Sequence, residues 1–149
     1  MEKRFETFTV LIGSISRSIR KIKTEEMAEF NLKSPHVSCI YYLYKNSTLT
    51  AKDLCDVCDE DKAAISRSLD YLEKNNYLTC SSTAKKRYKA YLELTEKGKE
   101  VGKIISDKID NILNIASNTL TEEDRVILYK SLSLINNNLQ KFCDSYEEK

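Results

Sequence analysis

Cys55 and Cys58 stand with the two-residue spacing of redox and zinc-binding pairs, and Ser66 and Arg67 precede a basic cluster of Lys85, Lys86, Arg87 and Lys89. A protein-held zinc ion needs about four ligands. His36 is the only histidine and there is no second CxxC, so no metal site is expected. Beside Leu54, the two cysteines read better as buried small hydrophobes, with a thiol-based redox sensor as the lesser alternative. The five cysteines are odd in number and scattered, which argues against a disulfide framework and for reduced thiols. No nucleophile–base–acid arrangement or helical HExxH is present, and three glycines leave little material for a phosphate loop. Neither catalysis nor a cofactor is expected.

The basic cluster suits another chemistry. From Lys62 to Leu92 seven cations stand against two carboxylates, a net +5 in a chain whose overall charge is only +1. Clustered cations neutralise phosphates without regard to sequence, whereas an arginine such as Arg67 can donate two hydrogen bonds to guanine and a hydroxyl such as Ser66 can bond to bases or phosphate. A solvated helix face and an ordinary soluble hairpin tip are the bland alternatives. Tyr41, Tyr42 and Tyr44, with Phe8 and His36, could line a pocket for a small aromatic or anionic effector, or serve simply as core and interface.

The elements that must position these residues follow from periodicity and caps. Phe5, Phe8, Leu11, Ile12, Ile15, Ile19 and Ile22 share one face of a helix over about 5–29. Ser34 as N-cap and Pro35 at the first helical position open a second helix to about 46. Thr50, three residues before Asp53, starts a short helix over 51–58. After an acidic turn, Asp61 caps a helix whose Ile65, Leu69 and Leu72 face inward. Lys62 then stands at its start, and Ala63, Ser66, Arg67 and Asp70 fall outward. Asn75 and Asn76 end that helix, completing a helix-turn-helix.

Tyr77 to Cys80 and Tyr88 to Leu94 then read as a β-hairpin around a charged tip, 81–87. Thr95 caps a helix to about 118, buried through Val101, Ile104, Ile105, Ile109, Ile112 and Leu113. Thr121 opens the last helix, in which Leu128, Leu132, Ile135, Leu139 and Phe142 are spaced 4, 3, 4 and 3 as in a helix–helix seam. These long stripes exceed what one small domain buries, so a second copy of the chain is expected to cover them. The apolar runs are too short to span a membrane and no secretory apolar region follows the first residues. A cytoplasmic protein with no membrane partner is expected.

The segments Leu49 to Leu54, Asp61 to Arg67, Leu72 to Leu78 and Leu94 to Gly98, in this order, resemble the MarR family of bacterial transcription regulators. The resemblance covers nearly the whole chain. It implies an α+β, mostly α fold: a single domain over 1–149 with a winged-helix DNA-binding part at about 33–95 and dimerisation helices at about 5–31 and 96–145. It further implies a homodimer, probing double-stranded DNA at a near-palindromic operator as a repressor and released by a small aromatic or anionic effector, or in some members by an oxidant. Family wings carry an Asp two residues before an Arg near the tip; those places hold Lys86 and Tyr88 here, or Lys85 and Arg87 with a one-residue shift. The acid is absent in either alignment, which points to a Lys-Lys-Arg phosphate contact rather than one braced arginine. A winged-helix protein-interaction module without specific DNA binding is the rival function.

Overall fold

The computed structural model describes residues 3–58, 60–80 and 90–148, without the side chains of Arg4 and Phe5. Its elements run α1 (Arg4–Glu26), a short 3-10 turn (Ala28–Phe30), α2 (Ser34–Lys45), α3 (Ala51–Val57), α4 (Lys62–Lys74), β1 (Leu78–Cys80), β2 (Leu92–Leu94), α5 (Glu96–Ala116) and α6 (Glu122–Glu147). The chain divides into two compact units, 1–108 and 109–149.

In the first unit the caps set most boundaries. Thr50 Oγ1 accepts the Asp53 amide at 3.2 Å, and Asp53 accepts the Thr50 amide at 2.8 Å, a reciprocal box that starts α3. Asp61 accepts the Ala64 amide at 2.7 Å to start α4, and Asn76 leaves α4 in the left-handed region with φ 64°. Two boundaries differ from expectation. α1 stops at Glu26 rather than about 29, because Met27 turns into the core and the chain tightens into the 3-10 turn before Asn31 reverses it at φ 55°. α2 starts at Ser34 with Lys33 in the cap position, because the Ser34 amide donates to Thr24 Oγ1 on α1 at 3.1 Å and the Lys33 amide to His36 Nδ1 at 3.1 Å.

The core gathers Leu32 and Ile40, Leu54, then Ile65, Leu69 and Leu72 from α4, with Leu78, Leu92 and Ile105. Burying each such side chain stabilises the fold by about 1.5–3 kcal/mol. β1 and β2 pair antiparallel, Leu78 opposite Leu94 and Cys80 opposite Leu92, so the leucines face the core while Thr79 and Glu93 face out. The Leu92 amide donates to the Leu49 carbonyl at 3.2 Å and Tyr91 bridges Thr50, which fastens the hairpin base to the start of α3. Gly98 is needed where α5 passes this hairpin: a Cβ there would collide with the Tyr77 carbonyl oxygen.

The second unit holds the end of α5 and all of α6, started by Thr121 accepting the Asp124 amide at 3.1 Å. None of the α6 residues is buried within the chain. The expected burial of α5 is met at Val101 and Ile105, but Ile104 and Leu113 are exposed and Ile109 and Ile112 half-buried.

Candidate nucleic-acid interface

α4 presents a divided surface. Ile65 and Leu69 are about 1% exposed and Leu72 is fully buried, while the Ser68 hydroxyl turns back to donate to the Ala64 carbonyl at 2.8 Å. The opposite face carries Lys62, Ala63, Ser66, Arg67 and Asp70, all exposed. This is the split that the i, i+4, i+7 apolar spacing predicts. The acidic turn before α4 is held from below: Arg20 on α1 donates to Glu60 at 2.7 Å. Asp53 at the start of α3 is kept below the usual carboxylate range by the hydrogen bonds it receives from the Thr50 amide and hydroxyl. Lys85, Lys86, Arg87 and Lys89 lie outside the described residues. Next to them in sequence, Tyr91 stands 61% exposed at the base of the hairpin.

The five aromatic residues expected around an effector are placed as follows. His36 stacks on Tyr71 of α4, ring centroids 4.2 Å apart, and Tyr71 donates its hydroxyl to the Asn31 carbonyl at 2.8 Å. Burial and the neighbouring Lys33 charge push the His36 imidazole below its ordinary 6.5. Tyr41 and Tyr42 meet edge to face, burial raises the Tyr42 phenol, Tyr44 packs over Gly102, and Phe8 is exposed on α1. A cavity of about 310 Å³ in the first unit is lined instead by Ile12, Ile15 and Ile19 on one side and Ser16, Arg20, Lys23, Ser34, Ser38 and Glu60 on the other. Within it Lys23 donates to Ser38 Oγ at 2.8 Å. The apolar side was legible as the first helix's stripe, but the polar side joins three separated segments and left no signal in spacing.

Of the CxxC pair, Cys58 is buried, as expected of a small hydrophobe, whereas Cys55 is only half-buried. Among the described residues no group of three or more His, Cys, Asp and Glu side chains is arranged to hold a metal ion. No described helix is long and apolar enough to cross a membrane.

Comparison with known proteins agrees with this geometry. Residues 36–113 match the family model described as a winged helix DNA-binding domain. No curated protein sequence matches the chain. Among solved structures, a putative MarR family transcriptional regulator from Listeria monocytogenes, complexed with a 26mer DNA, has a TM-score of 0.78 at 24% identity, over 86% of this chain and 85% of that one. MepR of S. aureus in a DNA complex has a TM-score of 0.77 at 18% identity, over 90% and 97%. A MarR transcriptional regulator from Methanosarcina mazei Go1 has 0.80 at 18% identity, over 95% and 94%. With its matched half and this shared architecture, the chain belongs to the winged helix DNA-binding domain family and has the fold of the MarR regulators.

Proposed function

We propose that the protein is a DNA-binding transcription regulator that acts as a homodimer on a near-palindromic operator and represses by occupying it. The observation that carries this reading is the exposed face of α4, where Ser66 and Arg67 stand one turn into a helix whose other face is locked in the core. In a helix-turn-helix this part of the second helix enters the major groove, and Arg67 has the geometry to bond two guanine acceptors. Lys85, Lys86, Arg87 and Lys89 would hold phosphates alongside and set affinity rather than sequence. The unburied apolar residues of α1 and of α6 support a two-fold partner of the same chain, since soluble monomers rarely leave patches of that extent open.

The cavity beside α1 supports release by a small effector. Its isoleucine side suits an aromatic body, and Arg20 and Lys23 suit an acidic group, although both already have protein partners with which a ligand would compete. Displacing Glu60 from Arg20 would loosen the turn that leads into α4. Selection of duplexes from a random pool by the purified protein tests the whole reading. The expected product is a two-fold symmetric site with half-sites centred about 10 base pairs apart; enrichment of no sequence over the input would overturn it.

A further inference from the structure

Tyr71 ties α4 to the segment that leads into α2. Its hydroxyl donates to the Asn31 carbonyl at 2.8 Å, and its ring lies on His36 with centroids 4.2 Å apart and planes 11° from parallel. Both partners are themselves fixed. Asn31 reverses the chain in the left-handed region at φ 55°, and His36 Nδ1 accepts the Lys33 amide at 3.1 Å. The next amide, that of Ser34, donates to Thr24 of α1 at 3.1 Å. A segment anchored on α1 thus grips α4 at one side chain from two directions. Arg67 stands four residues before Tyr71, so the two side chains are neighbours on the helix surface, Arg67 exposed and Tyr71 half-buried.

This grip depends on the charge state of His36. A neutral imidazole has one acceptor nitrogen and a protonated one has none. Once Nδ1 carries a proton, two N–H groups face each other, so the ring must turn away from the Lys33 amide or the cap of α2 must open. The surroundings oppose that proton: burial and then the Lys33 charge hold the imidazole below its ordinary 6.5. On α4, Arg67 and Lys74 lie about one turn either side of Tyr71, with Asp70 next to it, and Glu29 stands in the 3-10 turn before Asn31.

We propose that His36 and Tyr71 are positioning residues for the DNA-reading face of α4: the neutral His36 ring, held by the Lys33 amide and stacked on Tyr71, fixes the turn that carries Arg67. Neither residue touches DNA in this role; both act through Arg67. A bidentate contact to a base edge needs its donors in place, whereas a phosphate contact tolerates displacement. Protonating His36 therefore lowers discrimination between duplexes more than it lowers general affinity. The role in reading DNA rests on the function proposed above.

The test uses the full chain, a duplex that it selects from a random pool, and a random duplex beside it. Preference for the selected duplex should fall about tenfold between about pH 7.5 and about pH 5.5. The midpoint should coincide with the titration of the ring protons of His36, the sole histidine, followed by NMR. Taking the ratio of affinities removes the general pull of phosphates on protons, which acts on both duplexes alike. In His36→Asn, whose side-chain oxygen can accept the Lys33 amide without titrating, the preference should stay level with pH. By linkage, the selected duplex should lower the His36 midpoint by about one unit relative to the random one. A preference that stays level through the His36 titration in the parent, or falls equally in His36→Asn, would overturn the positioning role. If the parent selects no duplex, the proposed function fails, and the grip is decided without DNA. The amide signals of Ser66 to Tyr71 should then shift with the His36 midpoint in the parent and not in His36→Asn; signals that stay still would overturn it.

Discussion

Arg67 is exposed on the second turn of α4, opposite the buried Leu69, so its removal should leave folding intact. If it bonds a base edge, Arg67→Ala should cost about 1–3 kcal/mol per half-site on the selected operator, with less effect on random duplex. Equal losses on both would reassign Arg67 to phosphate, and titration of the two duplexes side by side decides this. His36 makes a separate prediction. Its Nδ1 accepts the Lys33 amide, which only the neutral ring can do, and its folded-state pKa is depressed below 6.5. The unfolded chain therefore takes up this proton at higher pH than the folded one, so the stability His36 contributes is complete above 6.5 and is lost as pH falls through the folded value. Urea midpoints at about pH 7.5 and about pH 5.5 should show this loss, and His36→Asn should reduce it. An equal loss in the variant would place the titrating group elsewhere.

The hairpin and the helix that follows it depend on one another. Thr95 donates to the Asn76 carbonyl at 2.6 Å and accepts the Gly98 amide at 3.1 Å, so the same hydroxyl closes the hairpin and starts α5. Gly98→Ala puts a methyl group onto the Tyr77 carbonyl oxygen and should destabilise the first unit by about 1–3 kcal/mol, the usual cost of overpacking. Thermal unfolding measures it, and an unchanged midpoint would mean that α5 can move away at no cost. At the same scale, replacing Lys85, Lys86 and Arg87 together by Ala should weaken binding to every duplex alike. The slope of log affinity against log salt should fall by about 0.9 for each phosphate that the variant no longer neutralises. An unchanged slope would remove the tip from the interface.

For the molecule as a whole, the apolar side chains of α6 decide the assembly. Leu128, Leu132, Ile135, Leu139 and Phe142 are all exposed within the chain, as are Val126, Ile127, Tyr129 and Leu134 on other faces. A helix apolar on so many sides is expected to be buried, and nothing in its own unit buries it. Light scattering should therefore give twice the chain mass of 17.2 kDa. Leu132→Lys combined with Ile135→Lys should split the dimer and abolish the preference for two-fold symmetric sites. A parent that stays monomeric and soluble at micromolar concentration would exclude both the dimer and the symmetric operator.

Caps, periodicity and the outward face of α4 were legible in the sequence because each depends on residues within one or two helical turns. Thr50 with Asp53, Asp61 with Ala64 and Thr121 with Asp124 make the hydrogen bonds that their spacing foretells. The stripes of α1 and α6 were legible for the same reason. What joins distant segments was not. His36 against Tyr71 and Arg20 against Glu60 each bring together residues that no local period relates. Only the packing of α1 and α2 beneath the turn into α4 decides which polar and aromatic groups meet, because it alone sets their distances and their shelter from water.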